Sequence, residues 1–402
     1  MNVKETEIGL IPEDWEVKRI DEISKVTDSL HQTPVYSDKG FPMVRVTDVK
    51  RGYLSLQDCL LVSDDIYKVF TKNYKPQKGD IVISRVGTYG VSSIVKTDEQ
   101  FCLGQNTAII SPKINNDYLY YCLNSPSIKA QIDYHAVGST HKTISLKSIK
   151  SIKIPVCSEN EQKVIAATLS VLDDMIELNN QINKTLEEMA QAIFKSWFVD
   201  FEPFKDGEFE ESELGLIPKG WRVGVLGDII DIFDSKRVPL SNRQRSVMEK
   251  KYPYYGAATL MDYVDNYIFE GVHVLLGEDG TVMDEKGYPI LQYVWGKFWV
   301  NNHAHVLKGK GAFSDEYLYI LLKNTNVASI VTGAVQLKIN QNNLTGLKII
   351  IPPEDVVKQY NDVVKDIFAC FRSNTDEIKI LTSLRDTLLP KLMSGEIRVP
   401  VE

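Results

Sequence analysis

A chain of 402 residues exceeds what one ordinary core fills and predicts two or three units. With 43% hydrophobic and 25% charged residues it has the balance of a soluble globular protein, and its start, MNVKETEIGL, lacks the apolar stretch of a secretory signal. No apolar run approaches the roughly 18 residues of a membrane span, so no membrane association is expected. Five cysteines (Cys59, Cys102, Cys122, Cys157 and Cys370), odd in number and without a CxxC pair, argue against a disulfide framework or a zinc cluster and point to a reducing cytoplasm. The net charge of −8 is unevenly spread: residues 158–212 carry −9, while 1–157 and 213–352 stand at +2 and +1. Near-neutral segments permit a local basic face without establishing one.

Taken in chain order, the elements repeat. EIGLIPEDW at 7–15 returns as ELGLIPKGW at 213–221, and GDIVISRVGT (79–88) has a looser echo in GVHVLLGEDGT (271–281). FCLGQNTAII (101–110) aligns with FWVNNHAHVL (298–307), DYLYYCLNS (117–125) with EYLYILLKN (316–324), and SIKSIKIP (148–155) with LTGLKIIIP (344–352). Five ordered matches define a duplication. In the first copy FPMVRVTDV, GDIVISRV, AIISP and KIPV read as strands, and YLYYCLNSPSIKAQI as helix. In the second, HVLLG, PILQYVWGKFWV and LKIIIP are the strands, and YLYILLKNTNVASIV the helix.

Each copy ends in a long helical tail. Over 159–198, Ile165, Leu169, Leu172 and Ile176 are spaced 4-3-4, and Ile182, Leu186, Met189, Ile193 and Trp197 continue the seam. Over 354–393, Tyr360, Val363, Ile367 and Phe371 lead to Ile378, Leu381, Leu384 and Leu388. Alternating threes and fours predict coiled-coil packing. Asn179 and Asn374 interrupt the seams at matching places; they either meet across an antiparallel helix pair and fix its register, or point to solvent. The predicted fold is therefore α+β: two similar globular domains in pseudo-two-fold arrangement, separated by two long antiparallel coiled-coil helices. The boundaries are 1–157 for the first domain, 158–212 for the first connecting helix and linker, 213–352 for the second domain, and 353–402 for the second helix and tail.

The doubled GLIPxxW, the GDIVISRVGT-like segment, a domain ending in IKIP, the helix start at Glu161–Gln162 and the closing LRDTLLPKLMSGEIRV together resemble the specificity subunits of type I restriction–modification systems. The resemblance spans both repeats. It implies two target-recognition domains, each reading half of a double-stranded DNA site, and connecting helices that dock two modification (methyltransferase) subunits. Restriction subunits would join through those partners, and S-adenosylmethionine, ATP and Mg would be bound by the partners alone, with no cofactor on this chain. A helix of 40 residues spans about 60 Å, and readers on one side of a duplex sit about 34–36 Å or a multiple apart. Two divergent readers so held predict an asymmetric, bipartite target with an unread spacer. The sequence contains no glycine-rich cofactor loop with NPPF/Y, no GxxxxGK[ST], and only an unsupported ExK at Glu249–Lys251, so no catalytic residue is expected. The alternatives are a coiled-coil scaffold binding proteins, or the specificity subunit of a related combined restriction–methylation system.

Base edges are read by cations and amides on loops. In the first domain the candidates are Arg85 with Tyr89, the amides of Gln105 and Asn106, and the polar loop with Ser139, Thr140, His141 and Lys142. Arg85 could equally form a structural ion pair, and the amides could cap backbone. In the second domain they are Asn301, Asn302, His303, Gln336 and Lys338, with Lys236, Arg237, Arg243 and Arg245 as a phosphate patch or a solvated loop. The second copy replaces ISRVGTYG by LLGEDGTV, so Arg85 has no basic counterpart in sequence. His303 and His305 share a strand face, but no third ligand adjoins them in sequence, and no metal site is expected. Asp173, Asp174 and Glu177 on the acidic helix are the candidate partner-docking residues, since bare acid beside phosphate would repel.

Overall fold

The computed structural model describes residues 2–138, 142–333 and 335–400, which form two compact units. The first comprises Met1–Asn180 with Asp376–Glu402, and the second Gln181–Thr375. Each unit is therefore a globular domain completed by half of each long helix. Those helices, Glu159–Phe198 and Glu354–Met393, begin and end where the apolar spacing places them. Among the described residues no helix is long and apolar enough to cross a membrane.

In the first unit a five-stranded sheet has the order Ser24–Asp28, Thr107–Pro112, Ile81–Ser84, Ser92–Ile94, Gly52–Tyr53. Its central strand Ile81–Ser84 is buried on both faces, one lined by Asn116–Asn124 and its neighbours, the other by a smaller sheet around Phe41–Val44. The second unit repeats this plan with Ile230–Ile232, Ala304–Gly309, His273–Gly277 and Leu291–Val294. In each small sheet one pair is parallel: Phe41–Val44 with Cys102–Leu103, and Tyr252–Tyr255 with Lys297–Val300. The expected strand PILQYVWGKFWV is two strands, broken at Gly296, whose φ of 79° serves the turn. The copies differ after the first helix of each pair. Pro126–His135 is a helix in the first, opened by Pro126, whereas the second has only the short turn Ala328–Ile330.

The GLIPxxW segments lie in the cores. Trp15 is buried, and Gly395 in the chain's tail closes on it; a Cβ at Gly395 would lie 2.6 Å from Pro12 Cδ and 3.4 Å from Trp15 Cζ2. Arg398 then pairs with Asp14 at 2.8 Å and Glu161 at 2.6 Å. In the second unit Phe198, Phe201 and Phe204 surround Trp221 at ring separations of 5.9, 5.3 and 5.2 Å. Segments following each long helix thus seal a buried tryptophan.

Within each unit the helix halves run antiparallel. In the first, Asp173 accepts from Arg385 at 2.6 Å and Asn179 donates to Glu377 at 3.1 Å. In the second, Asn183 donates to Thr375 at 2.9 Å and Asn374 donates to Asn183 at 3.1 Å. The seam departs from the heptad reading beyond Asn179. Ile182 and Met189 are exposed, as are Val363 and Leu384, whereas Ala190, Phe194, Phe198, Val364, Phe368, Leu389 and Leu392 are buried. The reason is what the halves pack against. They lie on the globular domain as well as on each other, so the buried face is wider than a two-helix seam. It also turns to bury the larger aromatic area of Phe194 and Phe198 against Tyr317 and Tyr360.

His273 sits in the second unit among Phe233, Phe269 and Phe298, with ring separations of 6.1, 5.6 and 5.2 Å. Burial holds it neutral, its pKa lowered to about 4 despite a carbonyl at Gly271. The unfolded chain takes up a proton near pH 6.5 that the folded unit refuses until about pH 4. The second unit should therefore lose up to about 3 kcal/mol as pH falls from 6.5 to 4, with no further loss from this group below. Urea unfolding followed by tryptophan fluorescence reads this well, since four of five tryptophans lie in that unit. His273→Phe should flatten the slope; an unchanged slope would assign the acid sensitivity elsewhere. Gly395→Ala, forced into a φ of 71° against Pro12, should destabilise the first unit by about 2–4 kcal/mol. Faster amide exchange at Ile11–Trp15, with the second unit unaffected, is the expected readout.

Candidate nucleic-acid interface

Backbone pairing gathers the dispersed candidates of the first domain at one end of its central sheet. The strand Ile81–Ser84 runs into Arg85, whose N–H donates to the Asn106 carbonyl at 2.8 Å and whose carbonyl accepts from Ile144 at 2.9 Å. Val86 bridges Thr143, and Thr143 pairs with Val137. Turn 85–90, turn 104–106 and the segment 142–144 are thus one cluster. Asn106 adopts the left-handed region at φ 63°, which asparagine tolerates better than most residues.

The second domain reproduces this bonding at equivalent atoms. Glu278 N–H donates to the His303 carbonyl at 2.8 Å, its carbonyl accepts from Ile339 at 2.9 Å, and Asp279 bridges Lys338. Thr332 and Lys338 exchange both backbone hydrogen bonds at 2.8 Å. Glu278 therefore occupies the place of Arg85, and the ion pair there is inverted. In the first domain Arg85 pairs with Asp28. In the second, Glu278 accepts from Arg237 at 2.7 Å and lies 3.3 Å from Lys338. The missing cation is supplied from another segment.

Around Glu278 a buried network holds Ile339, which follows the Thr332–Lys338 pair. His305 faces Asp234 through Nδ1 at 2.5 Å and the Ile339 carbonyl through Nε2 at 2.8 Å. Burial pushes the Asp234 carboxyl up, but hydrogen bonds from His305, the Val306 amide and Gln341 outweigh it and hold it below its ordinary value. The expectation that His305 has no third ligand-type neighbour is corrected: folding brings Asp234 and Glu278 to it from distant segments. Arg237 contacts both carboxylates, at 3.4 and 2.7 Å, and Lys338 lies 3.3 Å from Glu278, so two protein cations face the two carboxylates of this cluster.

The remaining candidates divide by exposure. Arg85, Arg237 and Arg245 are committed to ion pairs, Arg245 with Asp262 at 3.1 Å, and hold loops in place. Asn301 is buried and caps the His303 N–H at 2.8 Å. Gln105 donates to Thr33 at 3.1 Å, Tyr89 donates to Asp133 at 2.9 Å, and His303 pairs with Asp279 at 2.5 Å. Lys142, Lys236, Arg243, Asn302, His303, Gln336 and Lys338 are exposed. Lys142 lies over the Tyr89 ring and Lys236 over Phe233. Ser139, Thr140 and His141 lie outside the described residues. A ladder in the second domain escaped the sequence reading. Lys251 lies over Tyr252, Tyr252 packs on Tyr267 at 5.2 Å, and Lys297 covers Tyr267 at 4.6 Å. Only the pairing of distant strands assembles it.

The candidate docking acids require a correction at Asp173. Its carboxylate is buried and engaged by Arg385 at 2.6 Å and Tyr121 at 2.8 Å, so it does not present to a partner. Asp174 accepts from Tyr53 at 2.5 Å, and Glu177 is half-buried with an interaction of its own.

Comparison with known proteins matches this geometry to a family. Residues 12–188 and 218–382 match the type I restriction modification DNA specificity domain. The type I restriction enzyme MjaIX specificity subunit of Methanocaldococcus jannaschii is 28% identical over 98% of this chain and 96% of its own length. The HindI specificity subunit of Haemophilus influenzae is 24% identical over 80% of this chain and 87% of its own. The type I restriction–modification S subunit from M. genitalium shares the fold, with a TM-score of 0.56 at 18% identity, covering 94% of this chain and 96% of that one. The chain belongs to the type I restriction–modification DNA specificity family, carries two copies of its domain, and recognises a DNA target through them.

Proposed function

We propose that each domain reads one half of an asymmetric, bipartite double-stranded DNA target, and that the long helices set the spacing and dock two modification subunits. Restriction subunits join through those partners. S-adenosylmethionine, ATP and Mg belong to the partners, this chain performs no chemistry of its own, and the complex works in the cytoplasm. The observation that carries the reading is the pair of loop clusters built on matching backbone hydrogen bonds but carrying different side chains, Arg85, Gln105 and Asn106 against Glu278, Asn302 and His303. One scaffold with two chemistries at its reading end fits two unlike half-sites. The test is genome-wide mapping of methylated adenines in cells expressing this chain with and without its modification subunit. A split, asymmetric motif that requires both supports the reading; no new motif with a soluble partner present would favour a protein-binding scaffold.

Docking rests on apolar surface in this reading. On the first long helix Val171, Met175 and Leu178 follow each other at 4-3 spacing and are 55%, 39% and 56% exposed. Such a stripe is what a partner helix or groove covers. Leu178→Asp should reduce co-purification of the modification subunit more than tenfold, because a carboxylate would be buried at the contact. Asp174→Asn should change it less than twofold. The reverse order of effects would return docking to the acidic residues.

A further inference from the structure

We propose that the hairpins at 3–12 and 209–218 are a second pair of docking sites, each seating one modification subunit through an apolar patch of that subunit rimmed by lysine and arginine. The inference deepens the reading that two modification subunits bind this chain, and rests on it. Each hairpin pairs two strands, Val3–Thr6 with Gly9–Pro12 and Phe209–Ser212 with Gly215–Pro218, and among the described residues forms a sheet of its own. The inner faces carry Ile11 and Ile217 into the two cores. On the outer faces Leu10 lies opposite Glu5 and Leu216 opposite Glu211, and the leucines are 61% and 58% exposed. Val3 and Phe209, two residues before those acids, are exposed on the same faces. The turns match as well: Thr6 Oγ1 donates to the Gly9 carbonyl at 2.7 Å, and Ser212 Oγ to the Gly215 carbonyl at 2.6 Å. Glu7 and Glu213 at the tips pair with Lys153 and Lys348, which open the last strand of each domain.

Two strands alone gain little stability from their own pairing, and a leucine held in water adds none. The fold does not require the outer faces to repeat, since the buried Ile11, Trp15, Ile217 and Trp221 meet its demands. Leu10 with Glu5 and Leu216 with Glu211 recur all the same, although the candidate reading loops have diverged as far as Arg85 against Glu278. A ligand that treats both copies alike accounts for this. DNA does not, because unlike half-sites call for unlike residues. It is also opposed by charge, since 2–14 and 208–220 each set four carboxylates against one lysine. A protein bound in two identical copies fits both facts. The acids around each leucine then fix its complement, a basic rim about an apolar centre.

The test titrates the modification subunit into the full-length chain and counts bound copies by native mass spectrometry. Wild type should bind two. Leu10→Ser and Leu216→Ser should each weaken one binding step about tenfold or more, the value of one buried leucine, and the double variant should weaken both. Leu10→Met with Leu216→Met should bind as wild type does. Glu5→Lys with Glu211→Lys should weaken both steps, by a factor that shrinks as salt is raised. Wild-type binding by the double serine variant, or by the double lysine variant at low salt, would overturn the proposal. Thermal unfolding of the chain should be unchanged by serine at these exposed positions; a lowered midpoint would make the leucines folding residues and overturn it too. The underlying reading fails separately. If wild type binds no modification subunit, that reading falls and this one with it, whereas binding weakened by Leu178→Asp but not by the double serine variant would sink this proposal alone.

Discussion

Each copy of the repeat depends on burying one tryptophan under a segment that follows a long helix. Trp15 and Trp221 lie in the two cores beside strand residues such as Ile11 and Ile217, and each is also covered from outside its own domain's β-structure. Trp15 is reached by the far end of the chain, through Gly395 and Arg398, and Trp221 by Phe198, Phe201 and Phe204. The consequence is that no domain boundary in sequence coincides with a folding boundary. The first unit takes Leu389, Leu392 and Met393 into its core, and the second takes Ala190, Phe194 and Phe198. The long helices are thus integral to each core, and a change in either helix is felt in the packing of the domain it covers.

Much of this was legible in the sequence, and the parts that were not share a cause. Helix limits followed from unbroken apolar periodicity, and the doubling followed from ordered matches, because both are carried by neighbours in the chain. What faces what is carried by distant residues. Heptad counting buried Ile182 and Met189, whereas the structure buries Ala190 and Phe194, since Tyr317 and Tyr360 supply an aromatic surface the helix sequence cannot reveal. Asp173 looked like surface acid because Arg385, its partner, lies 212 residues away. The loop clusters were named as separate turns; their union comes from bonds such as Arg85 to Asn106 and Glu278 to His303.

The inverted ion pair explains how two copies can diverge without losing their framework. A buried or half-buried cation must keep its counter-ion, so Arg85 cannot drift to Glu unless a cation arrives from elsewhere. In the second domain Arg237 arrives, bonded also to the Ala304 carbonyl at 2.6 Å, and the backbone positions on either side stay as they are in the first. Charge at the base of the candidate loops is thus free to change sign while the flanking backbone keeps its hydrogen bonds. That is the physical latitude a recognition fold needs: fixed main chain, exchangeable side chains.

The same bookkeeping resolves the acidity that seemed at odds with DNA. Residues 158–212 carry −9, which beside a phosphate backbone would oppose binding. Their carboxylates are not a bare field, however. Glu161 is met by Arg398, Asp173 by Arg385 and Glu187 by Lys323 at 2.5 Å, cations that the segment count assigns to other parts of the chain. Pairing at contact distance shortens the reach of each charge to that of a dipole, and salt screens the remainder within about 8–10 Å. The segment's formal charge therefore overstates the potential it projects. The near-neutral globular domains are left to set the local field at their candidate loops, through exposed cations such as Lys142, Lys236 and Arg243.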